Sequence, residues 1–556
     1  MNAHDAPDRP LRIVVIGGVA GGASAAARAR RTNANAEITV LEKGPYVSFA
    51  NCGIPYHLGG EIAQRSKLLV TTAELFWNRF RIAVKTGFEA TRIDRAARIV
   101  EGINHATGEP FAIPYDRLIL STGSEPISPA FMQPPCDNVR HLWTLPDMDA
   151  VLDQIQAANV SDTVVVGAGF VGLEVVEQLV RIGIRVTLIE RLDQVLKPLD
   201  RHLARGVERE LRSHGVTLHL ASEIAGLRRT DGRATAVELA DGTVIPTDLI
   251  VIGAGVRPRV GLAVEAGLSI GKTGGLVVDE FMRTADPNIY AVGDMVEYLH
   301  GVLDSRMRIP LAGPANRSGR IAGAHAACGS AQPMGSVLGT SIVRVFGLTA
   351  ACTGLSEAAL DGYGIDHRAV IIQATHHSGY FPGAESMFLK LVYAPADGRI
   401  LGAQAVGGLG VDKRIDVIAT AMHFGGTVYH LGELDLAYAP PFGSAKDPVH
   451  MAAFAAINDL EGQPSVVPPG ADLSGHQVLD VRSKRERDEL PLEGAIGIPV
   501  DELADRWGEL DPDLPTITVC HSGKRAHVAA CWLRGKGWEN VRNLTGGMAI
   551  RSIEDP

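Results

Sequence analysis

The chain has 556 residues, of which 46% are hydrophobic and 21% charged, and this composition excludes a disordered or fibrous protein. Its 53 basic and 63 acidic residues give a formal net charge of −10, which argues against a nucleic-acid binder and against a basic protein of membrane surfaces. Glycine is frequent, with 62 residues, and aromatic residues make only 5%, as is typical of α/β nucleotide-binding units with tight turns.

The first predicted unit begins with a buried apolar strand over residues 11–16. A glycine-rich turn follows, then a helix over about 23–31 and a second strand, 38–41, that ends in Glu42. In such a βαβ pattern, helix N-terminal amides bind a pyrophosphate and the acid accepts a ribose hydroxyl. The turn departs from G-x-G-x-x-G because Val19 stands at the middle glycine position. The cofactor-binding candidates here are Gly17, Gly18, Ala20, Gly21, Gly22 and Glu42.

The beginning of the chain admits a second interpretation. Arg9 and Arg12 precede the apolar run, as in a secretory signal peptide. Only the strand–turn–helix interpretation also explains Glu42, so we expect a cytoplasmic protein. No stretch reaches the ~18 consecutive apolar residues that a membrane span needs. The six cysteines include no CxxC pair, so neither a disulfide framework nor a zinc site is expected.

The second predicted unit carries the complete dinucleotide-binding pattern. A strand over 162–166 leads into GAGFVG, which places Gly167, Gly169 and Gly172 in G-x-G-x-x-G register. The next strand, RVTLIE, ends at Glu190, and an acid at this position favours NADH because it would accept the free 2′-hydroxyl. NADPH stays open, since the neighbouring Arg191 can accommodate a 2′-phosphate. Two such units suggest electron transfer between two cofactors.

Three further segments make the chain resemble a known family: LILSTGSEP at 118–126, LIVIGAGVRP at 249–258 and TADPNIYAVGD at 284–294. With both glycine turns, they resemble the pyridine nucleotide–disulfide oxidoreductases over about residues 10–455. The resemblance implies a homodimer with FAD in the first unit, a nicotinamide cofactor in the second and Asp294 on the flavin ribityl chain. It also assigns Lys43, Thr122, Gly123 and Ala312 to cofactor binding.

The segment SFANCGIPYHLGG places Cys52 after the second strand of the first unit. Relatives with a redox disulfide carry a second cysteine five residues later, where this chain has His57, so Cys52 must act alone. SFANCGIPY resembles coenzyme A–disulfide reductases. NADH peroxidases and oxidases of the same branch use a histidine in the first glycine turn, where this chain has Ala20. This favours thiol–disulfide exchange, with an oxidase or peroxidase as the alternative.

The same resemblance suggests where coenzyme A would bind, as a substrate or a bound thiol. Ser48 and Asn51 would line its channel, and Arg28 or Arg31 would lie near its phosphates. An additional basic residue of the family is not matched, because Phe80 occupies that place. Arg28 and Arg31 can also be ordinary solvated charges of a helix.

Two tyrosines stand out in the region 335–455: Tyr380 in HHSGYFPGAE and Tyr438 in LAYAPPFGSAKD. Both resemble tyrosines of coenzyme A–disulfide reductases that give protons to a departing thiolate. The alternative is aromatic packing in a dimer interface. His376 and His377 are expected to be a solvated pair.

A Pro-, Gly- and Ser-rich segment precedes a last module, which contains DVR and TITVCHSGKRAHVAACWL. The second of these predicts a strand, a loop that starts at Cys520 and a helix from about Arg525. Loop amides and a helix N-terminus stabilise an anion there. The module resembles a rhodanese domain, with sulfane sulfur carried on Cys520. Cys531 is expected to be buried. The rhodanese loop candidates are His521, Ser522, Gly523, Lys524 and Arg525.

We therefore predict an α/β protein with two Rossmann-like dinucleotide-binding domains, an α+β dimerisation domain and an α/β rhodanese domain. The predicted function is NAD(P)H-dependent reduction of coenzyme A persulfide, polysulfide or coenzyme A disulfide through FAD and Cys52. A slow redox sensor is the non-enzymatic alternative. The predicted boundaries are 1–127 with 256–330 for FAD, 128–255 for NAD(P)H, 331–460 for dimerisation, 461–475 for a linker and 476–556 for the rhodanese domain.

Overall fold

The computed structural model describes residues 9–157 and 159–554, so residues 1–8 of the first predicted domain and 555–556 of the last lie outside the described part. The described chain divides into two compact units. Unit 1 contains the described residues up to 167 together with 178–185 and 224–339. Unit 2 contains 168–177, 186–223 and the described residues from 340 onward.

The helices and strands of the described residues are as follows. The α-helices are α1 (Ala20–Thr32), α2 (Ile54–Leu58), α3 (Ala73–Phe80), α4 (Leu145–Ala157), α5 (Phe170–Arg181), α6 (Arg201–Ser213), α7 (Gly261–Glu265), α8 (Ala312–Cys328), α9 (Glu357–Tyr363), α10 (Val411–His423), α11 (Val428–Gly432), α12 (Pro448–Leu460), α13 (Lys484–Glu489), α14 (Leu503–Arg506), α15 (Lys524–Gly535) and α16 (Gly547–Glu554). The strands are β1 (Arg12–Ile16), β2 (Glu37–Glu42), β3 (Ile82–Thr86), β4 (Phe88–Asp94), β5 (Ile99–Asn104), β6 (Pro110–Pro114), β7 (Arg117–Leu120), β8 (Ser124–Pro126), β9 (Val139–His141), β10 (Asp162–Val166), β11 (Arg185–Ile189), β12 (Thr217–His219), β13 (Ile224–Thr230), β14 (Arg233–Leu239), β15 (Val244–Pro246), β16 (Leu249–Ile252), β17 (Val256–Pro258), β18 (Ile289–Ala291), β19 (Glu297–Leu299), β20 (Arg306–Arg308), β21 (Ser341–Val345), β22 (Leu348–Gly354), β23 (Arg368–Thr375), β24 (Ser386–Tyr393), β25 (Ile400–Gly407), β26 (Val466–Val467), β27 (Gln477–Asp480), β28 (Ile496–Gly497), β29 (Thr516–Val519) and β30 (Val541–Leu544).

Unit 1 is built on a five-stranded parallel sheet with the order β18-β7-β1-β2-β3. β1 lies at its centre because its apolar residues are buried, as in sheets covered by helices on both faces. The helices α1 and α8 pack closely against each other. Gly319 allows this approach, because a Cβ there would lie 2.2 Å from the carbonyl oxygen of Gly21. This confirms the first predicted βαβ unit. The helix begins at Ala20 rather than at residue 23. The predicted start is too late because Gly21 and Gly22, which are weak helix formers, lie inside the first turn.

The second Rossmann-like domain is also confirmed. In unit 1, β16 pairs in parallel with β10 on one side and β9 on the other. In unit 2, β11 pairs in parallel with β12. The strand β10 has the predicted bounds, and α5 follows the glycine turn directly.

Two further sheets lie in unit 2. An antiparallel sheet with the order β21-β22-β25-β24-β23 packs against α10 and α12, as predicted for the dimerisation domain. The C-terminal sheet is parallel, with the order β26-β30-β29-β27-β28, and apolar clusters cover both of its faces. Its edge strand β26 lies inside the segment 461–475 that the sequence predicts to be a linker.

None of the described helices is both long enough and apolar enough to cross a membrane.

Candidate functional site

The first glycine turn has a backbone that only glycine fits. Gly17 has a φ of +94°, and a Cβ there would lie 2.1 Å from the carbonyl oxygen of Ser121. A Cβ on Gly22 would lie 1.8 Å from the carbonyl oxygen of Gly17. The turn opens α1 at Ala20, and the first turn of this helix contains no acidic residue. A phosphate at this helix N-terminus would therefore meet unopposed amide dipoles.

The two predicted acids of the dinucleotide folds have the same local geometry. Glu42 accepts hydrogen bonds from the backbone N–H of Gly18 and of Gly44, both at 2.8 Å. Glu190 accepts from the N–H of Ala168 at 2.7 Å and of Leu192 at 2.9 Å. Each carboxylate is thus fixed beside its glycine turn. The residues present fit a dinucleotide whose ribose hydroxyl is bound by the acid.

The second glycine turn leaves space for a ligand at its middle glycine. Gly167 has a φ of +101°, and a Cβ on it would lie 2.4 Å from the carbonyl oxygen of Gly253. Gly169 has no heavy atom within 4 Å of an ideal Cβ position, so one side of the turn is open. Gly172 is buried in α5. This cradle fits the close approach of a pyrophosphate to the backbone.

Beside the first turn lie the other predicted cofactor residues of unit 1. Asp294 is in a 3₁₀ turn after β18 and accepts a hydrogen bond from the Ser124 hydroxyl at 2.8 Å. Burial raises the pKa of the Asp294 carboxyl, and the Ser124 bond opposes this. The Thr122 hydroxyl donates to the Arg259 carbonyl at 2.6 Å, next to Gly123.

Two predicted cofactor residues have other surroundings. Ala312 is the first residue of α8. The side chain of Lys43 is exposed, and its ammonium group donates to Glu89 at 2.6 Å. Lys43 therefore already forms an ion pair within the protein.

The exposed thiol of Cys52 belongs to a segment that is attached to the first glycine turn. Cys52 lies in the 3₁₀ turn Asn51–Gly53, directly before α2. The Ser48 N–H donates to the Gly18 carbonyl at 2.9 Å. A Cβ on Gly18 would lie 2.6 Å from Val47 Cγ2, so the absent side chain allows this approach. The structure thus brings the segment of the predicted redox thiol and the first glycine turn together.

His57, at the position of a second redox cysteine in related enzymes, donates from Nδ1 to the Ile62 carbonyl at 2.5 Å. All six cysteines lie in described residues, and none forms a disulfide there. A single-thiol site at Cys52 is consistent with both facts.

The predicted coenzyme A residues are spread over α1 and the Cys52 segment. Ser48 has a φ of +48° and also accepts a backbone hydrogen bond from Val70 at 2.9 Å. The Asn51 amide lies 3.5 Å from the Trp143 carbonyl oxygen. Arg28 has a buried Nε with no hydrogen-bond partner among the described residues. The Arg31 guanidinium lies 5.2 Å from the centre of the Phe80 ring, so Phe80 holds this cation by a cation–π contact.

The two predicted tyrosines meet, although they come from different segments. Their hydroxyl groups lie 3.3 Å apart, and Tyr380 is 77% exposed whereas Tyr438 is 49% exposed. Hydrogen bonds from Tyr438 and then from Ser378 lower the pKa of Tyr380, while the bond to Tyr380 raises the pKa of Tyr438. Either hydroxyl can be the donor in this contact.

The loops of both tyrosines are joined below the phenols. Ser378 donates from its N–H at 3.0 Å and from its hydroxyl at 3.1 Å to the Gly443 carbonyl. The buried guanidinium of Arg414 binds Asp447 at 2.8 Å and the His376 carbonyl at 2.6 Å. The prediction of a solvated histidine pair is wrong for His377, which is 4% exposed because its ring packs against Phe381.

The predicted sulfur loop begins at Cys520, directly after β29, and ends in the first turn of α15. Cys520 is 1% exposed, and the N–H of Gly523 donates to its Sγ at 3.1 Å. Gly523 has a φ of +87°, which favours glycine and directs this amide into the loop. His521 and Lys524 are exposed and Ser522 is half-buried. The loop provides amide donors to an anion held at the sulfur atom.

Beside the exposed Lys524, the loop has a second cation, the half-buried Arg525. It forms a two-fold ion pair with Glu486, in which one bond is 2.8 Å long. The hydrogen bond to Glu486 raises the pKa of Arg525, and the charge of Cys520 adds to this effect. The same pair holds the pKa of Glu486 well below its usual range.

Cys531 contradicts its prediction, because it is exposed. The buried face of α15 is formed by Ala526, Ala529, Ala530 and Leu533, and Cys531 lies outside it, 3.5 Å from His527 Nε2.

Two contacts near the Cys520 loop are not predicted from the sequence. Glu486 forms a capping box with Ser483, and the S-x-x-E pattern that predicts such a cap is visible in the sequence. Thr545 and Gly546, which follow β30, bind Ile371 of β23. A Gly-Gly turn after a strand is visible at this place, but its partner on a distant strand is not.

Three family models match the chain. The model of the pyridine nucleotide-disulphide oxidoreductase family matches residues 11–331, and the model of its dimerisation domain matches 340–448. The model of the rhodanese-like domain matches 470–549. Coenzyme A disulfide reductase of Staphylococcus aureus strain RF122 is 34% identical over 445 residues, which is 80% of this chain and 99% of the relative.

Two solved structures match nearly the whole chain. The reduced CoADR-RHD of Bacillus anthracis is 40% identical with a TM-score of 0.94, over 98% of this chain and 99% of its own. A NAD-dependent persulfide reductase from A. fulgidus is 36% identical with a TM-score of 0.92, over 97% of this chain and 100% of its own.

Proposed function

Because this chain belongs to the pyridine nucleotide–disulphide oxidoreductase family, an enzyme family that uses FAD and NAD(P)H, we propose that it reduces a persulfide or disulfide of coenzyme A, or a polysulfide, at Cys52. The observation that carries this proposal is the backbone bond from Ser48 to Gly18, which holds the segment of the exposed Cys52 beside the first glycine turn, in a chain that also has Cys520 in an anion-stabilising loop. The names of the two structural relatives support the same substrate class.

The residues of the first and second glycine turns would hold the cofactors. Gly17, Gly18 and Gly22 with Glu42 and Asp294 would hold FAD, and Gly167, Gly169 and Glu190 would hold the nicotinamide dinucleotide. When bound, these cofactors supply two electrons to a sulfur–sulfur bond. The Cys52 thiolate attacks the outer sulfur of a persulfide R–S–SH, forms Cys52–S–SH and releases the thiolate RS⁻. Two electrons then cleave the sulfur–sulfur bond of Cys52–S–SH, which returns the Cys52 thiolate and releases HS⁻. The released RS⁻ and HS⁻ take protons from solvent.

With coenzyme A disulfide the same attack gives a mixed disulfide of Cys52 and releases one coenzyme A thiolate. The hydroxyl pair of Tyr380 and Tyr438 would protonate that leaving thiolate in a homodimer, for which the dimerisation domain provides the interface. Arg28, with its unpartnered buried Nε among the described residues, suits a phosphate of coenzyme A, whereas Arg31 is engaged by Phe80.

Steady-state NADH consumption by the purified flavoprotein tests the proposal. Coenzyme A persulfide, polysulfide and coenzyme A disulfide should support turnover, and hydrogen peroxide and oxygen should support little, because Ala20 provides no acid–base group in the first turn. Faster turnover with peroxide or oxygen would contradict the proposal in favour of an oxidase or peroxidase. Slow turnover with every acceptor would favour a redox sensor.

The geometry of Glu190 leads to a prediction about cofactor choice. A 2′-phosphate would meet the fixed carboxylate, so kcat/KM for NADH should exceed that for NADPH by roughly tenfold or more, at ~1.4 kcal/mol per decade. Glu190→Gln should reduce the ratio, whereas Arg191→Ala should leave NADH use intact and weaken NADPH use. Equal kcat/KM values for the two cofactors in the wild type would contradict the assignment.

The tyrosine pair leads to a prediction about pH. If Tyr380 gives a proton to the leaving thiolate, activity falls as pH rises through its pKa, which the bond from Tyr438 lowers. Tyr438→Phe removes that bond, so the alkaline limb of kcat should move to higher pH. Tyr429→Phe, at another exposed tyrosine, is the matched control and should leave the limb in place. An unchanged alkaline limb of kcat in Tyr438→Phe would show that Tyr380 does not donate the proton.

A further inference from the structure

The segment that follows β30 binds the edge of the dimerisation sheet. The Ile371 N–H on β23 donates to the Thr545 hydroxyl at 2.7 Å, and that hydroxyl donates to the Ile371 carbonyl at 3.1 Å. The N–H of Gly546 donates to the same carbonyl at 3.1 Å. The Thr545 side chain is thus used as both acceptor and donor, and the residue is 4% exposed. A buried hydroxyl with both functions satisfied holds a fixed orientation.

The same segment also holds the Cys520 loop. The N–H of Met548 donates to the Cys520 carbonyl at 2.9 Å, and the N–H of Ala549 donates to the His521 carbonyl at 2.8 Å. Gly547 has a φ of +58°, and a Cβ there would lie 2.4 Å from the Cys520 carbonyl oxygen. Two successive hydrogen bonds therefore join the start of the sulfur loop to residues directly after Thr545.

A second anchor fixes the other end of this domain. The N–H of Val466 on β26 donates to the Asp459 carboxylate at 2.8 Å, and that buried carboxylate also accepts from the Tyr393 hydroxyl at 2.8 Å. The N–H of Thr545 donates to the Val467 carbonyl of β26 at 3.0 Å. The predicted linker is thus bonded on both sides, so it is not a free tether.

We infer that Thr545 is a positioning residue for sulfur transfer at Cys520, through which the dimerisation sheet holds the sulfur loop in its reactive shape. This inference rests on the proposed role of Cys520 as the sulfur carrier. The Cys520 thiolate attacks the outer sulfur of thiosulfate, forms the persulfide anion Cys520–S–S⁻ and releases sulfite. A small thiolate acceptor, or cyanide, then takes the terminal sulfur and returns the Cys520 thiolate. The docked domain carries out both steps from one position.

The test uses the full-length holoenzyme with thiosulfate as donor and cyanide as acceptor. Thr545→Val keeps the shape and removes the hydroxyl, and sulfur transfer should fall about ten- to a hundredfold, as for a reacting group displaced by about 1 Å. The rate of Cys520 alkylation at a fixed pH should fall as well, because the Gly523 amide is no longer aligned with Sγ. Thr545→Ser should restore both quantities, and NADH-dependent reduction of a dye should stay unchanged.

The controls separate positioning from stability and from the proposed function. Thr516→Val removes another buried, hydrogen-bonded hydroxyl of the same domain, on β29, and should leave the alkylation rate of Cys520 as in the wild type. An equal fall of the Cys520 alkylation rate in Thr516→Val, or wild-type behaviour of Thr545→Val, would overturn the positioning role. Sulfur transfer that persists in Cys520→Ala would instead refute the proposed role of Cys520.

Discussion

The Cys52→Ser variant is expected to lose NADH-dependent persulfide and disulfide reduction by roughly a thousandfold or more, as when an enzyme loses its only nucleophile. A serine hydroxyl is not ionised near neutral pH and cannot form a sulfur–sulfur bond with the substrate. The backbone bond between Ser48 and Gly18 does not involve the thiol, so the cofactor turn should stay intact.

Two rapid-reaction measurements make this prediction specific. Reduction of the bound flavin by NADH, followed at a single turnover, should proceed in Cys52→Ser as in the wild type. Cys328→Ser, at another exposed thiol, is the matched control and should keep full turnover. Persulfide reduction at a comparable rate in Cys52→Ser would show that another group is the nucleophile.

The Cys520→Ala variant should lose activity with a subset of sulfur donors only. Coenzyme A disulfide and small persulfides can meet Cys52 directly, so NADH consumption with them should change less than about twofold. Thiosulfate and bulky donors must first load Cys520, where the Gly523 amide and Arg525 stabilise the anion. Turnover with these donors should fall by about two orders of magnitude or more, as after removal of a nucleophile.

The pattern over donors distinguishes the alternatives for Cys520. Equal losses with every donor would indicate an obligatory relay through Cys520 or an unfolded domain, and a thermal unfolding curve tells these two apart. No loss with any donor would show that the rhodanese domain takes no part in reduction. Cys531→Ala, at an exposed cysteine on the helix α15 that follows the Cys520 loop, is the control and should behave as the wild type.

The sequence predicts the features that depend on local pattern. Both glycine turns, the strands beside them and the acids Glu42 and Glu190 follow from residue spacing, because a βαβ unit fixes strand, turn and helix over a short stretch of chain. The start of α1 does not follow from local pattern, since Gly21 and Gly22 have low helix propensity yet lie in its first turn. A Cβ on Gly17 would lie 2.1 Å from the Ser121 carbonyl oxygen, so a contact with a distant segment requires glycine in this turn.

The remaining features depend on contacts between distant segments. The contact between Tyr380 and Tyr438 depends on two loops that a second hydrogen bond, from Ser378 to Gly443, also joins. No local sequence pattern predicts either contact. Cys531 is exposed because another face of α15 packs on the sheet. The sequence does not identify the buried face, because small residues lie on several faces of this helix. The hydrogen bonds between Thr545 and Ile371 can be predicted only when the relative positions of the two sheets that carry these residues are known.

The most direct test of a sulfur-carrying Cys52 is the mass of its peptide. The protein is reduced, freed of NADH, mixed anaerobically with coenzyme A persulfide or coenzyme A disulfide, blocked with an alkylating reagent and digested. We predict a Cys52 peptide heavier by one sulfur atom with the persulfide, and a mixed disulfide with coenzyme A after the disulfide. A Cys52 peptide that carries only the alkylating group after both substrates would contradict the account.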